Sequence, residues 1–410
     1  MRKVLILAVL SLGLTAVQAQ KAVTAGQFLA SAAESEIAGY EQTKTDFLQN
    51  RDFTLPWVQE LEFRTETHDF RWDEQEYTLR LSPNLPHQQR RQREYHQAFR
   101  ELTEAQNQRW LAEALAEKYE LLTDYVFVPQ LLEVQQNLRR ILLQKQKILR
   151  GRVTSPTFDL NNLVTTEEDI FAAEEEILEL RQDLTYLREM LLNTAGTDSV
   201  TLTLLTVAQI EKKLSETTEP APTEENILRL RQNLLQAEYN RELAAINNPL
   251  DFVQAKYGGR NSDIFRQDFS VGLGFRFPFK GDNKLDLLEL EYEQTERSVD
   301  YLTDRAEQNK DIDRRVRNLK NLIEKYRLLQ TQSVDTQTEY ALRQLEQMSD
   351  ADPLQILRLR LILLNRREQL LRTEYRIYRA YTDWLHRTER TIVRPLRNLL
   401  SAAGEEIQRN

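Results

Sequence analysis

The stretch FSVGLGFRFPFKG, at Phe269–Gly281, differs from the rest of this chain, which is rich in Leu, Glu, Gln and Arg. Large apolar residues alternate here with Gly, Ser and Arg. One parity carries only apolar side chains: Phe269, Val271, Leu273, Phe275, Phe277 and Phe279. The other parity carries Ser270, Gly272, Gly274, Arg276 and Pro278. A period of two residues predicts a β-strand with one apolar face and one polar face.

Two environments would suit this apolar face. A helix could cover it, as in a half-buried antiparallel sheet. Alternatively it could meet lipid while the polar face lines a wet lumen, which is the pattern of outer membrane barrel strands. The second interpretation is favoured, because the neighbouring helices use their apolar residues against each other and leave little to cover six large side chains.

Composition excludes several classes of protein. The chain has 410 residues, 29% of them charged, and a formal net charge of −9, without a basic stripe for nucleic acid. It has no Cys, which excludes disulfides, thiolate metal sites, Cys nucleophiles and a lipid-modified Cys. Residues 1–19 are expected to form a signal peptide, since the apolar run is shorter than the ~20 residues of a membrane anchor.

The order of chain breakers predicts two repeats of one unit, a β-hairpin followed by a long helical hairpin. Pro56 corresponds to Pro249 and Pro83 to Pro278. The first repeat is predicted over 20–247, with a helix over Val23–Asn50, strands at about 57–82, a helical hairpin at about 87–193, a linker at 194–226 and a helix to 247. The second is predicted over 248–400, with strands at about 250–279 and a helical hairpin at about 284–392, before a C-terminal tail at 401–410.

The predicted helices are very long. Residues 87–150 contain no Gly and a single Pro, Pro129, so a helix there would span roughly 90 Å. A helix is also predicted from Leu285 toward Met348. Its apolar residues have heptad spacing, which requires a partner helix: Leu285, Leu288, Tyr292, Thr295, Val299, Leu302 and Ala306.

This ordered set of segments resembles the TolC-like outer membrane efflux proteins over nearly all of the mature chain. Three stretches carry the resemblance: SVGLGFRFPFKG, the segment DPLQILRLRLILLNRREQLLRTEYRIYRAYTDWL, and LREMLLNTAG at Leu187–Gly196. The resemblance implies a mainly α fold with a small β part, in which three copies form a 12-strand outer membrane barrel and a periplasmic α-helical coiled-coil tunnel. It also implies a periplasmic adaptor and an inner-membrane pump as partners.

The resemblance further identifies candidate pore and tip residues. By position, the two aspartates that narrow the pore in the best-known member fall on Gln355 and Arg358. Asp350 and Asp352, one turn away, are candidates for an acidic mouth instead. Asp169 matches an aspartate that helps to hold the closed state, and Arg358 with a carboxylate of the tip is a second candidate contact. The alternative for each charge is a solvated helix face.

No enzyme is expected. His68, His87, His96 and His386 have no i, i+4 pairing for a metal, and GLGFRF lacks the context of a dinucleotide fingerprint. No cofactor is therefore predicted. The favoured function is an outer membrane exit duct with a long periplasmic part, serving tripartite efflux or type I secretion. The alternative is a soluble periplasmic coiled-coil adaptor or scaffold protein.

Overall fold

Helices dominate the computed structural model. It describes residues 23–32, 36–51, 53–67, 75–155, 158–196, 199–216, 223–258, 268–275, 284–333, 336–348, 350–402 and 404–407. The predicted signal peptide lies outside these residues. No helix among the described residues is long and apolar enough to cross a membrane.

The two β-hairpins and the long helices occur in the predicted order. The helices are α1 (Ala25–Ala30), α2 (Glu36–Asn50), α3 (Pro86–Gly151), α4 (Leu160–Ala195), α5 (Val207–Glu216), α6 (Thr223–Ile246), α7 (Lys284–Ser333), α8 (Thr336–Gln347) and α9 (Pro353–Arg387). The strands are β1 (Val23–Thr24), β2 (Val58–Thr67), β3 (Gln75–Pro83), β4 (Val200–Thr201), β5 (Leu250–Gly258) and β6 (Asp268–Phe275). A short 3-10 helix follows α9 at Arg390–Ile392.

The longest helix, α3, confirms the prediction from composition. Its 66 residues run continuously through Pro129. The residues just before Pro129 are weak helix formers, so the burial of Phe127, Val128 and Leu131 favours the continuous helix despite the backbone hydrogen bond that the proline removes. Its predicted return partner, expected near Thr165–Asn193, is α4.

Three predicted elements differ from the structure. In place of the helix expected over Val23–Asn50, the structure has β1, α1 and α2, and a capping box of Thr24 and Gln27 sets the start of α1 at Ala25. The helix expected from Leu285 toward Met348 is described as two helices, α7 and α8. The linker expected at 194–226 contains an unpredicted helix, α5, which buries Val207, Ile210 and Leu214.

Four strands form one antiparallel sheet in the order β2-β3-β5-β6, so the two hairpins lie side by side. β3 and β5 pair between the hairpins, with Leu79 opposite Ala255. The remaining two strands, β1 and β4, form a separate parallel pair.

The chain divides into two compact units. The first comprises Met1–Ser35, Leu111–Pro220 and Ile312–Asn410, and the second comprises Glu36–Trp110 and Ala221–Asp311. The first unit contains the larger core, with Phe28, Ile210 and Ile377 fully buried. The second has a small helical core of Leu102, Ala105, Ile227 and Leu230 and contains the four-stranded sheet.

The chain after α9 packs into the first unit. The Tyr119 hydroxyl donates to the Arg397 carbonyl at 3.0 Å and accepts from the Leu399 N–H at 3.1 Å. Leu400 and Ile407 are buried in the same core. The described part of the C-terminal segment is therefore held by backbone and apolar contacts. The repeat and tail boundaries stay predictions.

Candidate functional site

One face of the four-stranded sheet is almost entirely apolar. Cross-strand pairing aligns side chains from all four strands in rows, and we call the face made by the following rows the apolar sheet face. The rows are Leu61–Leu81–Val253–Leu273, Phe63–Leu79–Ala255–Val271 and Thr65–Tyr77–Tyr257–Phe269.

The strand that first suggested two faces is the most exposed part of this surface. In β6, Phe269 is 68% exposed, Val271 65%, and Leu273 and Phe275 58% each. Phe277, the fifth predicted residue, lies outside the described residues. Soluble proteins rarely expose a contiguous apolar patch of this kind without a partner surface.

Aromatic rings gather in two adjacent rows of the apolar sheet face, toward the ends of β2 and β5 and the starts of β3 and β6. The ring centroids of Phe63 and Tyr77 are 6.1 Å apart, and those of Tyr77 and Tyr257 are 6.4 Å apart. Aromatic bands of this kind mark the interfacial level of membrane-spanning sheets.

The opposite face, which we call the polar sheet face, is built from charged and small residues. Its rows are Glu62–Arg80–Gln254–Gly272 and Arg64–Thr78–Lys256–Ser270. Cross-strand ion pairs connect the strands, with Lys256 Nζ 2.5 Å from Glu76 and Arg80 Nη2 3.3 Å from Asp251. These charges keep one side of the sheet compatible with water.

Two glycines of β6 on the polar sheet face differ sharply in the space around them. A Cβ on Gly272 would meet nothing within 4 Å, whereas a Cβ on Gly274 would lie 2.3 Å from the Phe252 ring. The Arg80 guanidinium covers the same ring at 3.7 Å from its centroid. Gly274 therefore provides the space in which Phe252 and Arg80 stack.

Both outer strands of the sheet have an open edge. β2 pairs with β3 alone and β6 with β5 alone among the described residues. Unpaired backbone N–H and C=O groups on an edge strand are a template for a further strand. The exposed edges thus leave the sheet able to extend on both sides.

The candidate tip residues lie around the start of α9 and in α4, within the first unit. Asp352 is the N-cap of α9 and accepts from the Leu354 N–H at 3.2 Å. Arg152, in the turn between α3 and α4, donates its Nη2–H to Asp352 at 2.7 Å. The Arg152 hydrogen bond holds the pKa of the Asp352 carboxyl below its ordinary value.

The other candidates do not join this contact. Asp169 lies in α4 and Gln355 and Arg358 in α9, all exposed. Asp350 is exposed in the turn before α9. Within the described part of the chain, neither Asp169 nor Arg358 has an ion-pair partner, so their expected tip contacts stay predictions.

The sequence analysis did not identify two arginines that form contacts at the tips. Arg152 pairs with Asp352, and Arg360 binds Glu346 through Nε at 3.3 Å and Nη2 at 2.9 Å. Arg152 and Asp352 are separated by 200 positions in the sequence, so no local spacing signals the pair. Among the described residues, no group of three or more His, Asp or Glu side chains could hold a metal ion.

The chain thus combines long antiparallel helices with a four-stranded sheet that exposes an apolar face. Solved structures with a similar fold share this combination of long helices and strands. VceC, an outer membrane protein of Vibrio cholerae, is 14% identical over 89% of this chain and 95% of its own, with a TM-score of 0.62.

The open-state MtrE outer membrane channel of Neisseria gonorrhoeae is 12% identical over 89% of this chain and 88% of its own, at a TM-score of 0.60. The CmeC outer membrane channel of Campylobacter jejuni is 9% identical over 89% of this chain and 85% of its own, at 0.61. No family model and no curated protein sequence matches the chain. The chain thus has the fold of the TolC-like outer membrane efflux proteins, as its sequence resemblance predicted.

Proposed function

We propose that this protein is an outer membrane exit duct that passes substrates from an inner-membrane pump to the cell exterior. Three copies assemble, and a periplasmic adaptor connects them to the pump of a tripartite efflux or type I secretion system. The chain supplies a passage and carries out no catalysis. The observation that carries this proposal is the apolar sheet face, exposed on four strands whose opposite face is charged.

Lipid is the environment that fits this face. Burying apolar area stabilises by about 25 cal/mol per Å², so a face of this extent is costly to leave in water. The polar sheet face requires an aqueous environment, because it is costly to remove charged side chains from water unless they are paired. A sheet between lipid and a wet lumen satisfies both faces at once.

The open edges of the sheet support assembly. Unpaired backbone groups are not tolerated in hydrocarbon, so β2 and β6 need partner strands. Four strands are too few to close a barrel, since the smallest single-chain barrels use eight. Three copies that contribute four strands each, the number implied by the resemblance, would close a barrel of twelve.

The helices also leave surface for neighbouring copies. The heptad residues of α7 remain exposed in the single chain, with Leu285 74% exposed, Tyr292 69% and Leu302 63%. An exposed heptad seam is stabilised by a partner helix. In the proposed trimer, a helix of the adjacent copy supplies this partner, which extends the passage as a helical tunnel in the periplasm.

The tips are the proposed gate. The Arg152–Asp352 ion pair joins the turn between α3 and α4 to the start of α9, and Arg360–Glu346 joins α9 to α8. These contacts would hold the hairpin ends together at the periplasmic mouth. Asp169, Asp350, Gln355 and Arg358 are further candidate mouth residues.

Cell fractionation followed by native mass measurement tests the proposal. We expect the tagged chain in the outer membrane, extracted by mild detergent at about three times its 48.3 kDa mass. A detergent-independent periplasmic monomer or dimer would contradict the duct and favour the adaptor or scaffold alternative.

A further inference from the structure

We propose that a pocket next to the start of β2 binds the headgroup of an aminophospholipid, a lipid that carries a phosphate and a primary ammonium. This inference rests on the proposed function, because it requires the sheet to lie in a bilayer. The pocket has a volume of about 430 Å³ and lies between the end of α2, the segment that leads into β2, and the first turns of α3.

Three arginines line this pocket: Arg51, Arg93 and Arg100. The guanidinium of Arg51 lies 4.6 Å from the ring centroid of Phe47, and Arg93 Nε donates to the Gln89 carbonyl at 3.4 Å. Neither has a carboxylate partner among the described residues. Arg100 is less available, since its Nε lies 3.5 Å from Glu104.

The pocket also contains a polar atom that lacks a partner. His96 Nε2 is buried and makes no hydrogen bond among the described residues. The His96 ring stacks on Phe53, with centroids 4.3 Å apart, which fixes its orientation in the pocket wall. A buried nitrogen of this kind is usually paired with a ligand, water or protein group. A phosphate oxygen would satisfy it.

Guanidinium groups bind phosphate oxygens with two parallel hydrogen bonds, so Arg51 and Arg93 suit a phosphate. Two carboxylates, Glu101 and Glu104, line the same pocket. They would weaken the binding of a plain anion, but they suit an ammonium that lies beside the phosphate. The two kinds of charge therefore match a headgroup that carries both.

The position of the pocket matches the edge of a bilayer. Trp57, at the start of β2, is 73% exposed, and Trp is enriched where a membrane meets water. Thr54, three residues earlier, lines the pocket. Cationic pockets at this level bind lipid headgroups.

Arg93 of this pocket projects away from the side of α3 that approaches the polar sheet face. Gln88 and Gln92 of α3 line a cavity together with Glu60, a residue of the polar sheet face. At about 100° per residue, Arg93 projects roughly 100° away from Gln92 and roughly 140° away from Gln88, whereas His96 lies only about 40° from Gln92. Arg93 therefore projects from a different side of α3 than the two glutamines, and His96 lies between the two sides.

Lipid binding to the purified, detergent-solubilised protein tests the inference. Native mass spectrometry would compare phosphatidylethanolamine with phosphatidylcholine, which has the same phosphate but no ammonium N–H. We expect phosphatidylethanolamine to bind roughly tenfold more tightly. Arg51→Gln with Arg93→Gln should weaken its binding roughly thirtyfold. Glu101→Gln should reduce the preference over phosphatidylcholine.

The control is Arg181→Gln with Arg188→Gln, which removes two charges from exposed positions of α4 and should leave lipid binding unchanged. Equal binding of the two lipids, tighter binding of phosphatidylglycerol, displacement by inorganic phosphate, or an unaffected double variant would each overturn the inference. An outer membrane trimer without lipid preference would refute this pocket alone. A protein outside the membrane would refute the proposed function first.

Discussion

At the scale of single residues, Gly274 and Gly272 provide a sharp contrast. Gly274→Ala places a Cβ 2.3 Å from the Phe252 ring, so the ring must leave its stacking position against Arg80. Overpacking of this kind costs typically about 1–3 kcal/mol. We expect the Gly274→Ala protein to unfold at a lower temperature than the wild type, measured by the loss of detergent-resistant oligomer on heating.

Gly272→Ala is the matched control, because its Cβ meets nothing within 4 Å. Combining Gly274→Ala with Phe252→Leu should recover part of the lost stability by removing the ring. If Gly272→Ala and Gly274→Ala lower the unfolding temperature equally, the Phe252 contact does not set the requirement for glycine.

Asp352 has two roles that substitutions can separate. Asp352→Asn keeps an N-cap oxygen for α9 but loses the charge that pairs with Arg152, whereas Asp352→Ala loses both. An N-cap deletion costs about 1 kcal/mol and an exposed ion pair about 0.2–1 kcal/mol. We therefore expect both variants to raise the single-channel conductance in planar bilayers, and only the alanine variant to loosen the start of α9 in hydrogen exchange.

The pH dependence of this contact follows from its lowered pKa. The Arg152 hydrogen bond favours the Asp352 carboxylate, so its stabilisation is complete above the ordinary Asp pKa of about 3.9 and is lost as pH falls through the lowered value. Conductance of the wild type should thus rise only in strong acid, and Asp352→Asn should remove this rise. Exchanging the charges, Arg152→Asp with Asp352→Arg, should restore low conductance at neutral pH. Continued high conductance, with the start of α9 unchanged in hydrogen exchange despite the lost N-cap, would exclude a latch role for the pair.

At the scale of elements, the assignment of the two sheet faces can be tested by introducing arginine at two adjacent positions of β6. Leu273→Arg places a charge on the apolar sheet face, which costs about 2–4 kcal/mol near the middle of a bilayer. Gly272→Arg places the same charge on the polar sheet face, where its Cβ has open space. We expect Leu273→Arg to reduce the amount of assembled protein in the outer membrane severalfold while Gly272→Arg assembles normally, as measured by membrane fractionation. The reverse order would exchange the proposed lipid and lumen faces.

Elements with strong local periodicity were predictable from the sequence, and elements held by distant contacts were not. The alternation of β6, and the glycine-free, Leu-, Glu- and Gln-rich composition of residues 87–150 in α3, predicted the type of both elements. β1 and β4 are two residues each, and pair across more than 170 positions, so no local pattern marks them. The start of α5 does carry a capping-box signal, because the Thr206 and Gln209 side chains each accept a hydrogen bond from the other residue's backbone N–H. The polar segment after α5 favoured the interpretation of the whole region as a linker.

At the scale of the whole molecule, the sequence predicted the four strands of the antiparallel sheet but not how one copy meets the next. The sheet order β2-β3-β5-β6 leaves β2 and β6 as the outer strands, and they are separated by two strands within one chain. At about 4.8 Å per strand, β2 and β6 of one copy lie too far apart for a disulfide. A covalent bond between these strands would therefore report contact between copies.

The absence of natural Cys makes this contact directly measurable. We predict that Glu62→Cys in β2, combined in turn with Ser270→Cys or Gly272→Cys in β6, gives a disulfide between copies for at least one pair. Closure by three copies would appear as a ladder on denaturing gels that ends at the trimer. Glu62→Cys with Val271→Cys is the control, since the two side chains lie on opposite sheet faces and should not bond. A ladder that continues beyond three, or the same products from the control, would contradict a closed sheet of twelve strands.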